Sequence, residues 1–154
     1  MPLEYQARIE ANQPRFNQMA RETYSLEINR GPIGLPSRAA LIGAKYAESA
    51  GKGDLYHAAI FQAYWLNAQA IDDRQILADI AQSIGLDPNI FLAALDDLHY
   101  ETQVDQDIEV AYRHGLNGVP ALVFNQKYLV SGAQPYDVLR SIVERIETGE
   151  IDQK

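Results

Sequence analysis

The chain has 154 residues, 47% of them hydrophobic, and carries a formal net charge of −8 at pH 7. This length fits one domain, alone or with an added helical lobe. The negative charge disfavours binding to nucleic acids and to anionic membrane surfaces. No apolar run approaches the roughly 18 residues of a membrane span. Charged side chains at Glu4, Arg8 and Glu10 exclude the apolar core of a secretory signal, so we expect a cytoplasmic protein.

Side chains that could carry chemistry are scarce in this sequence. It contains no cysteine, so it has no thiolate nucleophile, no disulfide and no thiolate metal ligand. The three histidines share no short spacing such as i, i+4, and we expect neither a metal site nor a cofactor. The acidic pairs 72–73 and 96–97 are interpreted as a helix start and a solvated helix surface rather than as catalytic carboxylates.

The first three quarters of the chain predict helices and no convincing strand. A first helix is expected over residues 3–24, with a kink or an early break at Pro14. Two prolines and two glycines within residues 29–36 predict a loop. Apolar periodicity then predicts short helices with polar first residues as caps. One helix is predicted over about residues 38–50, with Ser37 as its cap, and a second runs to about residue 67, with Asp54 as its cap. Two further helices begin after Asp72 and at Asp87-Pro88, and a last one covers about residues 103–114.

The pattern changes after Gly115. Residues 121–124 and 128–130 are short apolar runs rich in β-forming side chains, and the three residues between them predict a hairpin. A turn over residues 131–135 precedes a last amphipathic helix. The predicted fold is α+β and mostly helical. We divide it into an N-terminal helix and loop (1–36), a helical lobe (37–114), and a segment with the hairpin and the last helix (115–154).

This order of elements, together with three sequence segments, resembles the C-terminal two thirds of DsbA-family oxidoreductases. The segments are Asn29-Arg30-Gly31-Pro32-Ile33, residues 115–124 around Gly118-Val119-Pro120, and Tyr128-Leu129-Val130-Ser131-Gly132-Ala133-Gln134. The branch it resembles most contains FrnE-like proteins and 2-hydroxychromene-2-carboxylate isomerases. The implied fold is a DsbA-like helical lobe plus a partial thioredoxin fold.

The resemblance also implies a binding site. Pro120 would be the cis proline of the thioredoxin fold, and Val119 would offer its backbone N–H and C=O to an extended peptide. Gly118 and Gly115 would permit a close approach at this turn, and His114 lies beside it. An ordinary loop with a trans proline is the alternative. Arg30 would have a structural role, and Tyr56, Tyr64 and Trp65 would pack the helical lobe, with an aromatic substrate lining left open.

The sequence departs from the family at its N-terminal side. The resemblance implies that a family member begins with a strand and a Cys-x-x-Cys motif at a helix start, or with a serine in the isomerases. It also implies that about 50–60 residues of this β–α–β half are missing from the given sequence. We therefore expect a chain without catalytic residues that is redox-inactive by itself. An isolated hairpin is marginal in water, so we expect a homodimer formed by sheet sharing or helix swapping, or a first helix that covers the hairpin.

Three interpretations stay open. The chain is a fragment of a thiol–disulfide oxidoreductase, a non-catalytic module that binds a peptide or small molecule, or an obligate structural oligomer.

Overall fold

The computed structural model describes residues 3–150. It contains α1 (Leu3–Tyr24), α2 (Arg38–Ser49), α3 (Gly53–Trp65), α4 (Arg74–Ser83), α5 (Pro88–Ala94), α6 (Leu98–Arg113), β1 (Ala121–Phe124), β2 (Tyr128–Ser131) and α7 (Tyr136–Glu147). The predicted α+β, mostly helical class is confirmed. The chain divides into two compact units within α6, the first ending at Gln106 and the second beginning at Asp107, whereas the sequence suggested boundaries at residues 36 and 114.

The core of the first unit lies among α2, α3, α4 and α5. Its largest fully buried side chains are Tyr56, Phe91 and Leu77. The rings of Tyr56 and Phe91 lie 5.6 Å apart between centroids. Both side chains contact α2 at Gly43, where an added Cβ would lie 2.6 Å from the Phe91 Cζ and 2.6 Å from the Tyr56 hydroxyl oxygen. Gly43 is therefore the space that lets two large side chains pack against the α2 backbone.

Aspartate caps begin three of the helices. Asp87 accepts hydrogen bonds from the N–H groups of Asn89 and Ile90, as predicted. The prediction of Asp72 as a cap is wrong by one residue, because Asp73 has the extended backbone that lets its carboxylate accept from the N–H groups two and three positions on. Asp97 accepts from the His99 N–H at 2.8 Å, and α6 accordingly begins at Leu98, about five residues before the predicted start.

Two other predicted caps are not formed. Ser37 stands at the N-cap of α2 but makes no side-chain capping bond. Asp54 is not a cap, because α3 already begins at Gly53 after Lys52, which places Asp54 within its first turn. There its negative charge is still favourable to the helix dipole.

The first helix does not break at Pro14, since α1 continues to Tyr24. The segment after it is tied to the end of α3. The Asn29 N–H donates to the Trp65 carbonyl at 2.8 Å, and the Gly31 N–H donates to the Tyr64 carbonyl. These bonds satisfy two carbonyls that a helix C-terminus otherwise leaves unpaired. They fix the loop of residues 29–31 on the end of α3.

The second unit contains the end of α6, the hairpin and α7. The strands pair antiparallel, with Ala121 opposite Ser131 and Phe124 opposite Tyr128. Three residues connect the strands. The first two, Asn125 and Gln126, have φ values of 51° and 58°, and the Lys127 N–H donates to the Phe124 carbonyl at 3.0 Å, so the chain reverses in a tight turn with positive φ values. This confirms the predicted hairpin. Between residues 107 and 150 no side chain is buried, although both strands and α7 carry apolar residues.

None of the helices within residues 3–150 combines the length and the apolar character that crossing a bilayer requires.

Tyr56 provides a test of the core. It is 1% exposed, its hydroxyl has no hydrogen-bond partner within residues 3–150, and burial raises its pKa above the ordinary value of 10.0. We expect Tyr56→Phe to raise the free energy of unfolding by about 1 kcal/mol at neutral pH, because a buried unsatisfied group is removed. Urea denaturation followed by circular dichroism measures this change.

The same substitution has a pH signature. Above about pH 10 the unfolded chain releases the Tyr56 proton while the folded chain retains it, so the stability of the wild type falls as pH rises. The advantage of Tyr56→Phe should therefore widen above that pH. The exposed Tyr24 supplies the control Tyr24→Phe, which should change little at either pH. A loss of stability in Tyr56→Phe at neutral pH would contradict the prediction.

Candidate functional site

The loop of residues 115–120, here called the Val119 loop, begins where α6 ends. The Gly115 N–H donates to the Tyr112 carbonyl at 2.9 Å, and the Leu116 N–H donates to the Ala111 carbonyl at 3.0 Å. With Gly115 at a φ of 69°, these two bonds form the Schellman closure of a helix. The loop therefore leaves α6 in a defined direction.

Val119 and Pro120 form the exposed end of this loop. The peptide bond between them is cis. The Val119 side chain is 96% exposed, and its backbone N–H and C=O make no hydrogen bond within the described part of the chain. An exposed apolar side chain flanked by two free backbone groups offers what an extended peptide needs for pairing.

The hairpin supports the loop directly. The Gly132 N–H donates to the Pro120 carbonyl at 2.9 Å, which extends the pairing of β1 and β2 back to the proline. Gln134 Nε2 donates to the Ser131 carbonyl at 2.9 Å and closes the turn that follows β2. Pro120 is thus held by the strand pair, while Val119 just before it is free.

The two glycines of this loop have open surroundings in the described part of the chain. No atom lies within 4 Å of a Cβ placed at Gly115 or at Gly118, so neither glycine permits a close approach in the described chain. Gly115 is explained by its positive φ instead. Gly118 has no such φ, and nothing in the structure explains its identity.

His114 is the C-cap residue of α6 and is exposed. Its imidazole makes no hydrogen bond or ring contact with any described residue. His114 is close to Val119 along the chain, but no contact joins the two. Within residues 3–150, no group of three or more histidine, aspartate and glutamate side chains could hold a metal ion.

The aromatic residues of α3 differ in their surroundings. Tyr56 is in the core, and the Tyr64 hydroxyl donates to the Pro32 carbonyl at 3.2 Å. Trp65 contacts Phe16 of α1 with 6.4 Å between ring centroids and lines a cavity of about 360 Å³ with Phe16 and Arg30. This cavity was not expected from the sequence, although its lining residues on α1 have the i, i+3, i+4, i+7 spacing of one helix face. They are Ile9, Asn12, Gln13 and Phe16.

The fold and the Val119 loop together define a thioredoxin-type protein with a helical lobe, and comparison with known proteins identifies the family. Residues 5–144 match the profile of the DSBA-like thioredoxin domain. The chain belongs to this family. In structure it is similar to a 2-hydroxychromene-2-carboxylate isomerase, with a TM-score of 0.75 and 19% identity over 100% of this chain and 75% of the isomerase. This likeness shows the fold alone.

Two curated relatives are similar in sequence. YwbO of Bacillus subtilis is 30% identical over 102 residues, which are 66% of this chain and 50% of YwbO. The thiol:disulfide interchange protein DsbA of Pseudomonas syringae pv. tomato is 29% identical over 72 residues, 47% of this chain and 34% of that protein. The alignments thus span half of YwbO and about a third of DsbA.

Proposed function

We propose that this chain is the substrate-binding part of a DsbA-type thiol–disulfide oxidoreductase and that it holds an extended peptide segment at Val119. The observation that carries the proposal is the 96% exposure of Val119, whose N–H and C=O are both free, directly before a strand pair. Membership of the DSBA-like family and similarity to a DsbA protein support the reaction class.

The chemistry itself requires a reactive group from elsewhere. Thiol–disulfide exchange proceeds by attack of a thiolate on a disulfide sulfur, and this sequence has no cysteine. We propose that the chain is truncated relative to a complete enzyme and that a β–α–β segment with the reactive thiols comes from further sequence or from a second polypeptide.

Exposed apolar side chains on the second unit favour the binding of such a β–α–β segment. Leu122 and Val123, on opposite faces of β1, are 42% and 39% exposed, and Leu129 of β2 is 40% exposed. Successive strand residues point to opposite faces, so both faces of the hairpin expose apolar side chains. An isolated two-stranded sheet is marginal in water, and unpaired strand edges accept further strands. In the absence of a β–α–β partner, we propose that a second copy of this chain pairs with the hairpin and forms a homodimer.

Peptide binding is tested with a probe that has no free thiol. We expect the fluorescein-labelled insulin B chain, its cysteines carbamidomethylated, to bind with a measurable anisotropy change. Val119→Pro removes one backbone donor and should weaken binding about threefold to tenfold, as expected for one net hydrogen bond. Val119→Ala keeps the backbone and is the matched control. Equal affinities of both variants and the wild type would exclude pairing at Val119.

Redox inactivity is tested with the purified chain alone. In an insulin-reduction assay with dithiothreitol, the rate of turbidity increase should equal that of the buffer control, because no thiolate is available. A full-length DsbA-family enzyme with a Cys-x-x-Cys motif is the positive control. Turnover at a rate comparable to that enzyme would refute the proposal that the chemistry is supplied by another segment.

The oligomeric state is tested by sedimentation equilibrium. We expect twice the mass of one chain, and Val123→Lys should shift the equilibrium towards monomer because a charge at a strand edge opposes pairing. Gln82→Lys adds the same charge at an exposed position of α4 in the first unit and should leave the dimer unchanged. A mass of one chain at all concentrations would refute the dimer.

A further inference from the structure

A cavity of about 360 Å³ in the first unit lies between α1, the residue 29–31 loop and the end of α3. It is lined by Arg8, Ile9, Asn12, Gln13, Phe16, Arg30 and Trp65 and is called the α1 cavity below. Its volume falls within the range of small-molecule sites.

The charge of the α1 cavity is opposite to that of the whole chain. The sequence has 21 acidic and 13 basic residues, yet among the residues that the structure describes the charged side chains lining the cavity are two arginines, Arg8 and Arg30. An arginine guanidinium binds carboxylate and phosphate oxygens with paired N–H donors. The cavity is therefore suited to an anion.

Arg30 is held in place by its neighbours. Its Nε donates to Gln13 Oε1, and its Nη1 donates to the Gly31 carbonyl at 3.4 Å. Gln13 is itself fixed, since its Nε2 donates to Asn17 Oδ1 at 2.7 Å. The Nη2 group makes no hydrogen bond within the described chain. This arrangement orients the guanidinium before any ligand binds, which lowers the entropic cost of binding.

The Arg8 guanidinium makes no hydrogen bond or ion pair with any described residue. Arg8, Asn12 and Phe16 follow one another at intervals of four residues along α1, so they lie on the same side of the helix. Ile9, Phe16 and Trp65 form the apolar part of the cavity, and the Phe16 and Trp65 rings are tilted by 48° to each other. Flat apolar groups pack well against such rings.

We propose that the α1 cavity binds a small organic anion with a flat apolar body. Arg8 and Arg30 bind the carboxylate or phosphate, and Phe16 and Trp65 pack against the body. This site shares no lining residue with the Val119 loop, and its test does not depend on peptide binding or on redox chemistry.

The experiment uses Trp65 as its reporter, because it is the only tryptophan of the chain. 3-Phenylpropionate and phenyl phosphate are titrated while tryptophan fluorescence is recorded, and calorimetry confirms the affinities. Saturable binding of at least one anion is expected. The anion with the higher affinity shows whether the cavity prefers a carboxylate or a phosphate. The neutral analogue 3-phenylpropan-1-ol should bind at least about tenfold more weakly, since it forms no charge-assisted hydrogen bond.

Arg8→Gln should weaken binding of the anion about tenfold or more. Arg15→Gln makes the same charge change on α1 outside the α1 cavity and should leave the affinity unchanged. Arg8→Gln is preferred over Arg30→Gln because the Arg30 side chain also donates a hydrogen bond to Gln13. Circular dichroism checks that Arg8→Gln and Arg15→Gln both fold. Three results would overturn the proposal: no saturable binding of either anion up to about 10 mM, equal binding of the alcohol, or equal losses in both variants.

Discussion

The packing of Tyr56 and Phe91 around Gly43 is the contact on which the first unit depends. It brings α2, α3 and α5 together at one point, because Gly43 has no side chain between the α2 backbone and the Phe91 ring or the Tyr56 hydroxyl. The same core includes Leu77, Ala78 and Ala81 of α4, which are fully buried. Protein interiors are close-packed, so this arrangement tolerates little change in side-chain volume at any of these positions.

The end of α3 connects this core to the residue 29–31 loop. Its last carbonyls accept hydrogen bonds from Asn29 and Gly31, and Gly31 has no room for a side chain, since an added Cβ would lie 2.4 Å from the Gln69 carbonyl oxygen. The close approach places Arg30 and Trp65 beside α1. The α1 cavity therefore forms because the residue 29–31 loop donates hydrogen bonds to the last carbonyls of α3.

The second unit differs from the first because its described residues form no buried core. Its hairpin has a well-defined turn and register, and its α7 is amphipathic, but no side chain between residues 107 and 150 is buried. The local structure is therefore specified without a core of its own, and the apolar faces of β1 and β2 are available to another strand or helix. Val119 lies at the start of this pair, which is why the proposed peptide site and the proposed partner surface belong to the same unit.

The sequence by itself determined the order of elements, because helical periodicity, the Asp87-Pro88 helix start and the Asn125-Gln126-Lys127 reversal are local properties of neighbouring residues. It also determined that the chain has no thiol. The sequence predicted the helix cap less accurately where two neighbouring residues can both serve as the N-cap. Asp72 and Asp73 are such a pair, and the extended backbone of Asp73 makes it the cap. Tertiary structure alone decided that Gly43 contacts two aromatic side chains, that Arg30 and Trp65 line a cavity with α1, and that Leu122, Val123 and Leu129 of the hairpin stay exposed. These features depend on contacts between residues distant in sequence, and no local pattern specifies which surfaces meet.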